Sequence, residues 1–169
     1  NVYASPKETL YKTKEEVPID NYHPSKVAVD SVTTKHTVPP KLLDLAGLSS
    51  ILSTKGIKAG EVLQTYQNLY EHQIVSYPRT EDKTITPEQF NEMLPLIHQI
   101  ASIVGVDSSL LTHMQMRKTH VKNGGTHGAN RPGTTVPSSL EALRSYGSCA
   151  SLIYEILAKN FLAMFAEDY

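Results

Sequence analysis

The chain has 169 residues, a formal net charge of −1 and a hydrophobic content of 40%. That content suffices for a core, so a largely disordered chain is excluded, and no apolar run approaches the ~20 residues that span a bilayer. The single cysteine, Cys149, excludes an internal disulfide and a cysteine-based metal site, and predicts a cytoplasmic location. The first ten residues are polar and lack an initiator methionine. We therefore expect no secretory signal and a longer parent protein.

The charges are unevenly distributed along the chain. No acidic residue lies between Asp107 and Glu141, a stretch that contains four cations: Arg117, Lys118, Lys122 and Arg131. Two explanations stay open at this point. The stretch is either an ordinary solvated loop or a surface that faces phosphate groups.

The first part of the chain has the composition of strands. Residues 26–34 alternate weakly, with Val27 and Val29 as apolar points, and predict a strand. The pair Pro39-Pro40 then ends regular structure, because proline lacks an amide donor and restricts the residue before it. We place a domain boundary here: residues 1–36 end a strand-rich domain, and residues 37–169 form a helical one.

The rest of the chain carries helix signals. Asp44 is a candidate cap for a helix to about Ser53, and residues 59–71 carry one apolar stripe. Thr86-Pro87 with Gln89 predicts a capping box, followed by a helix that Pro95 kinks and Gly105 ends. Residues 74–77 predict a short strand, residues 119–137 a long irregular segment, and residues 149–166 a final helix. The predicted fold class is mainly α with a small β component.

Tyr77 is the first candidate for chemistry. It ends the short apolar segment, Pro78 turns the chain directly after it, and Arg79 follows. From the residues alone, an ordinary core or rim tyrosine is the more common explanation. A phenol has a pKa of about 10, so a nucleophilic tyrosine needs help worth roughly 4 kcal/mol at neutral pH. A neighbouring guanidinium could stabilise the phenolate or hold the phosphate that it attacks.

Residues 126–133 form the second candidate, because they combine glycines with His127 and Arg131. Glycines let backbone amides approach a phosphate, and both side chains could donate to its oxygens. A glycine-rich surface loop with an incidental histidine remains the alternative. The other histidines lack the spacing of metal ligands, and His98, among apolar helix residues, is expected in the core. No metal site is predicted in this chain.

Four segments, in order, resemble the tyrosine-bearing domain of type IA DNA topoisomerases. Residues 39–45 resemble its proline-proline entry. Residues 67–71 (Q-N-L-Y-E) and 74–80 (I-V-S-Y-P-R-T) resemble its signature, a Q-x-L-Y-E helix followed by S/T-Y-P/M-R-T. Residues 127–132 (H-G-A-N-R-P) resemble its H-x-A-I-R-P element, and residues 152–163 resemble its closing helix.

The resemblance implies a role for each matched residue. Tyr77 would be the nucleophile that attacks single-stranded DNA and leaves a 5′-phosphotyrosine, with Arg79 and His127 as its catalytic partners. Arg131, Lys122, Lys118, Arg117 and Thr80 would contact DNA. The family's Mg²⁺ belongs to a separate acidic module, and no D-x-D occurs here. We therefore expect Mg²⁺ and the remaining domains of the parent to be required, a cytoplasmic, nucleoid-associated location, and no relaxation of DNA by this chain alone.

Some residues depart from the family pattern. Glu81-Asp82 follow the tyrosine motif where aspartate and serine are usual, and Gly128, Asn130 and Gly133 replace the commoner residues of the histidine element. These departures indicate a divergent branch, of the topoisomerase III-like or mobile-element kind. Two other classes remain as alternatives: a non-catalytic nucleic-acid-binding module and an interaction domain without a nucleic-acid role. A tyrosine recombinase is disfavoured because its tyrosine follows its histidine and arginine.

Overall fold

A computed structural model describes residues 28–29, 31–125 and 127–168. The chain divides into two units, Asn1–Lys35 and His36–Tyr169. In the first unit, the described residues of the predicted strand have no regular structure, and Val29 and Val32 are 79% and 85% exposed. The strand prediction is wrong for these residues, because they pair with no other described segment. Residues 26, 27 and 30 lie outside the described residues, and the domain boundary stays a prediction.

Two helices open the second unit, and both agree with their predicted bounds. Helix α1 spans Leu45–Ser53, and the Asp44 carboxylate caps it by accepting a hydrogen bond of 2.7 Å from the Gly47 amide. Helix α2 spans Ala59–Glu71 and buries a stripe on one face: Val62, Thr65, Tyr66 and Leu69. This spacing of three and four residues is what directs one face of a helix into a core.

A proline divides the next helical stretch. Helix α3 spans Pro87–Met93, and its capping box forms as predicted, with Thr86 and Gln89 each bonding the other's backbone amide. Pro95 has no amide proton to donate, and the chain tightens into one 3₁₀ turn at Leu94–Leu96. Helix α4 then spans Ile97–Val104 and ends at Gly105, whose φ of 68° suits glycine.

The last helix forms the centre of the core. Helix α5 spans Ala150–Ala163 and packs against α1, α2 and α4. Its Phe161 lies 5.6 Å from Phe165, which in turn stacks on Phe90 at 5.4 Å between ring centroids. Burial of each such ring contributes about 1.5–3 kcal/mol. Two further 3₁₀ turns, Ser108–Leu110 and Glu141–Tyr146, connect the helices.

The β component is limited to isolated pairs among the described residues. Leu43 pairs with Asn130, Val75 with Pro132, and Ile85 with Val121. The predicted strand at residues 74–77 is therefore a single antiparallel pair, since Pro78 and Pro132 cannot donate to an extended ladder. The prediction of a mainly α fold with a small β component is confirmed. None of the described helices is long and apolar enough to cross a membrane.

A buried histidine joins two distant segments of the second unit. His120 is 0% exposed, with its Nε2 2.8 Å from the Pro40 carbonyl and its Nδ1 2.9 Å from the Thr119 hydroxyl. A carbonyl can only accept, so Nε2 carries the proton of a neutral ring. Burial lowers the pKa of His120, and Arg117 adds to that effect, while the Pro40 carbonyl opposes it. The sequence predicted the wrong core histidine, because His98 is exposed on α4.

The lowered pKa of His120 predicts a pH-dependent stability. The unfolded chain takes up this proton near pH 6.5, before the folded chain does, so the stabilisation is present above pH ~6.5 and is lost as pH falls through the folded pKa. We expect the free energy of unfolding, measured with urea, to fall between about pH 7.5 and 5.5. His120→Gln should flatten this dependence and His98→Gln should not. An unchanged slope in His120→Gln would contradict the assignment.

Candidate active site

Tyr77 reaches the surface because the chain reverses after α2. Gln73 adopts a positive φ of 60°, and the Ile74 amide bonds the Leu69 carbonyl at 3.0 Å. Ile74 and Val75 are then buried at 3% and 2% exposure, and they hold the segment against the core. Tyr77 follows directly and is half-buried, while Pro78 after it is buried. The result is a fixed backbone with a phenol at the rim of the fold.

The Tyr77 ring contacts two other rings. Tyr70, on the last turn of α2, makes an edge contact with a centroid distance of 5.6 Å and an interplanar angle of 78°. The second contact is with His127, whose ring centroid lies 4.4 Å from that of Tyr77 at an interplanar angle of 34°. The structure thus brings together Tyr77 and His127, two of the three residues predicted to be catalytic.

The backbone on both sides of the His127 side chain is held in place. The Gln89 amide donates to the His127 carbonyl at 3.1 Å, and the Gly128 amide donates to the Asp82 carboxylate at 3.1 Å. The imidazole itself is exposed and makes no hydrogen bond to any described residue. A side chain on a fixed backbone with free ring nitrogens can bind a ligand without a large loss of entropy.

Arg79 is exposed and faces a separate groove of about 430 Å³. The groove is lined by residues 79–81 and by the start of α1, and neither Tyr77 nor His127 lines it. The guanidinium makes no hydrogen bond or ion pair with a described residue. Thr80 lines the same groove but is only 8% exposed, and its hydroxyl accepts from the Asp82 amide at 3.1 Å. Arg79 is therefore available to a ligand, whereas the Thr80 hydroxyl stabilises the turn.

Arg131 is a nearly buried cation beside the tyrosine segment. It is 8% exposed and lines a pocket of about 200 Å³ together with Ser76, Tyr70 and Glu92. Its Nη1 reaches the Ala129 carbonyl only at 3.5 Å, its Nε has no partner among the described residues, and no described carboxylate lies within ion-pair distance. Burial lowers the pKa of Arg131, and the charge of Glu92 opposes this. A guanidinium with unused donors in a pocket suits an anion.

The three other predicted cations differ in their environments. Arg117 donates from Nε to the Met164 carbonyl at 2.8 Å, from Nη2 to the Ala166 carbonyl and from Nη1 to the Asp168 carboxylate at 2.6 Å. These bonds satisfy the carbonyls that follow α5, so the guanidinium has a structural function in this chain. Lys118 and Lys122 are exposed and form no ion pair with a described residue.

Two aspartates close to the tyrosine segment stabilise the fold. Asp82 accepts from the Gly128 amide, and Asp44 caps α1 and pairs with Lys83 at 3.3 Å. Within the described ranges, no group of three or more His, Cys, Asp or Glu residues is arranged to hold a metal ion. These carboxylates do not fit a magnesium site, and no step is assigned to a metal here.

Three residues of the site were not identified from the sequence. Gln89 was recognised only as a helix cap, Asp82 only as a departure from the family pattern, and Asn130 likewise. Asn130 is 1% exposed and contacts the backbone of Tyr77 and Pro78. The signal available for Asn130 was a polar residue at a position where the family element is apolar.

Comparison with known families identifies the chain. A family model described as DNA topoisomerase matches residues 3–169, nearly the whole sequence. The chain belongs to the type IA DNA topoisomerase family. Comparison with curated proteins gave no match. Membership of this topoisomerase family implies an isomerase that acts on DNA, and it agrees with the resemblance that the four sequence segments indicated.

Gly128 provides a test of the backbone that holds His127. Its φ is 72°, and an added Cβ would lie 2.3 Å from the Gln89 Oε1. Gly128→Ala should therefore lose more than the ~1 kcal/mol that positive φ costs other residues, because Gln89 must also leave the capping box. Gly124→Ala is the matched control, since its φ is 93° but nothing lies within 4 Å. Urea unfolding measures both. Equal losses would show that the Gln89 contact contributes nothing.

Proposed function

We propose that Tyr77 is the nucleophile by which the full-length topoisomerase cleaves single-stranded DNA. In this step the phenol oxygen gives up its proton and bonds to phosphorus, and the bond from phosphorus to the 3′ oxygen breaks. The 3′ oxygen takes up a proton, and a 5′-phosphotyrosine remains. The observation that carries the proposal is the contact between the rings of Tyr77 and the exposed His127, whose centroids lie 4.4 Å apart at the rim of the fold.

His127 is proposed to bind a phosphate next to the break. Its ring nitrogens are free of described partners, and Gln89 and Asp82 hold its backbone. A donor fixed beside the reacting phosphate stabilises the charge that develops on the phosphoryl oxygens, without reorganisation during the step.

Arg79 is proposed to assist cleavage by holding the DNA backbone next to the scissile phosphate. Its exposed guanidinium faces the groove beside α1, which neither Tyr77 nor His127 lines, so the DNA strand would extend from their surface into this groove. Arg131 is proposed as a second phosphate ligand, because its unused donors line the pocket beside Ser76. Thr80 is proposed to approach the DNA through the same groove as Arg79.

The exposed lysines are proposed to guide the DNA strand. Lys118 and Lys122 lie in the stretch without acidic residues and form no described ion pair, so their charges are available to phosphates. Arg117 is left out of this contact surface because its donors are engaged at the end of α5.

Other parts of the parent protein are proposed to supply the remaining functions. Another module would hold Mg²⁺, whose positive charge would help to position the DNA. The other domains would complete the cleft and pass the second strand. Because the phosphotyrosine conserves the bond energy of the phosphodiester, religation requires no nucleotide. We expect this chain alone not to relax DNA, and we place the parent in the cytoplasm with the nucleoid.

Removal of one oxygen tests the nucleophile. Tyr77→Phe in the full-length protein should abolish the covalent adduct with a labelled single-stranded oligonucleotide, measured by denaturing gel, because phenylalanine has no attacking oxygen. Tyr70→Phe is the matched control: this ring also contacts the site, and its loss of a hydroxyl should leave the adduct. An adduct that persists in Tyr77→Phe rejects Tyr77. DNA binding without any adduct in the unmodified protein favours the non-catalytic module.

Salt dependence tests the lysine surface. The affinity for single-stranded DNA should fall with salt by a slope of about −0.7 per neutralised phosphate. The double substitution Lys118→Ala and Lys122→Ala should make the slope of the full-length protein less negative by about 1.4, if each lysine neutralises one phosphate. Lys55→Ala, an exposed lysine after α1, serves as the control. A double variant with the unmodified slope places the DNA elsewhere.

A further inference from the structure

The segment that carries Tyr77 is fixed by a second irregular segment. The Ser76 amide donates to the Arg131 carbonyl at 3.0 Å, and the Arg131 amide donates to the Ser76 hydroxyl at 3.0 Å. That hydroxyl in turn donates to the Ala129 carbonyl at 3.3 Å. The position of the backbone that carries Tyr77 therefore depends on the position of residues 129–131.

Asn130 is the buried link between the two segments. Its side-chain nitrogen lies 3.0 Å from the Tyr77 carbonyl and 3.3 Å from the Pro78 carbonyl. Its backbone amide donates to the Leu43 carbonyl at 2.9 Å, which anchors the residue to the start of α1. The opposite orientation of the side-chain amide would bring its oxygen against two carbonyl oxygens, so the nitrogen must face them.

Tyr66 connects the same nitrogen to helix α2. The Asn130 side chain donates to the Tyr66 hydroxyl at 2.8 Å, and both residues are almost completely buried. Burial raises the pKa of Tyr66, so the hydroxyl stays protonated and neutral. Tyr66 lies one turn before Tyr70, whose ring contacts Tyr77. Helix α2 thus contacts Tyr77 directly through the Tyr70 ring and indirectly through Tyr66 and Asn130.

The Asn130 side-chain amide is only partly satisfied. Its oxygen is buried without a partner among the described residues, and a buried unpaired acceptor destabilises the fold. The nitrogen offsets this cost, because an apolar side chain here would leave the Tyr77 and Pro78 carbonyls without this donor. What the amide supplies is a directed bond to the carbonyl of the nucleophilic residue itself.

We infer that Asn130, oriented by Tyr66, is a positioning residue that sets the Tyr77 phenol against His127 for attack on DNA. This inference rests on the proposed function of Tyr77. Asn130 touches no substrate, and it acts by holding the Tyr77 and Pro78 carbonyls inward so that the ring keeps one orientation. Its removal should slow the cleavage step more than it weakens DNA binding, since a small misplacement of reacting groups reduces a rate severely.

The test uses the full-length protein under single-turnover conditions. Asn130→Ile should lower the rate of adduct formation roughly tenfold or more, with a dissociation constant for the oligonucleotide within about threefold of the unmodified value. Tyr66→Phe keeps the ring, is expected to fold, and should lower the rate by a smaller factor. Tyr154→Phe removes another buried hydroxyl, from α5, and should leave the rate unchanged.

A double-mutant cycle separates positioning from general loosening. If Tyr66 acts through Asn130, adding Tyr66→Phe to Asn130→Ile should cause no further loss of rate. A double variant whose loss of rate is the product of the two single losses would overturn the inference. So would unmodified rates in both single variants, or equal losses of rate and DNA affinity. Absence of a Tyr77-dependent adduct in the unmodified protein would instead reject the proposed function, so the two failures are distinguishable.

Discussion

Two irregular segments run side by side beneath Tyr77, and the candidate site depends on their pairing. The Gly133 amide donates to the Ile74 carbonyl at 2.8 Å, and the Thr135 amide donates to the Gln73 carbonyl at 3.1 Å. A side chain at residue 133 would prevent this approach, since its Cβ would lie 2.0 Å from the Gln73 oxygen. One segment carries the tyrosine and the other carries Arg131 and leads back to His127, so a single close approach brings together groups that are distant in sequence.

Helices α2 and α3 contact the two paired segments and help to position them. Helix α2 delivers the chain to the tyrosine segment and contributes Tyr66 and Tyr70 to its support. The start of α3 contacts the histidine segment through Gln89, which bonds the Thr86 amide with its oxygen and the His127 carbonyl with its nitrogen. The same side chain therefore begins a helix and positions a candidate catalytic loop. Helix packing and site geometry are coupled at this residue.

The sequence predicted the helices well because their signals are local. The caps at Asp44 and Thr86, the kink at Pro95 and the stop at Gly105 each depend on residues within a few positions. The pairings of residues 43 with 130 and 75 with 132 depend on contacts across many residues, which no local pattern encodes. The prediction that His98 lies in the core failed for the same reason. Helical spacing favoured His98 as a core residue. The Pro40 carbonyl that pairs with the buried His120 lies 80 positions away in sequence.

The ordered motifs predicted Tyr77 and His127 as partners, and their rings lie in contact. The motifs did not predict that neighbouring cations have different environments. Arg117 and Lys118 are adjacent and similarly charged. The first donates to the end of α5 while the second faces solvent. The role of Asn130 was likewise not predicted, because its contacts with the backbone of Tyr77 and Pro78 join segments that are distant in sequence.

Arg131 has a consequence for how such a protein can adapt to heat. Its guanidinium is held away from water with no carboxylate of the described residues within ion-pair distance, so its burial opposes folding, and an anion bound beside it would relieve that opposition. An apolar side chain of similar length would remove this cost from the native state together with the donors of the guanidinium. Stability gained in this way would therefore come at the expense of the DNA contact proposed for Arg131, and adaptation to heat is freer to proceed in the packing around α5.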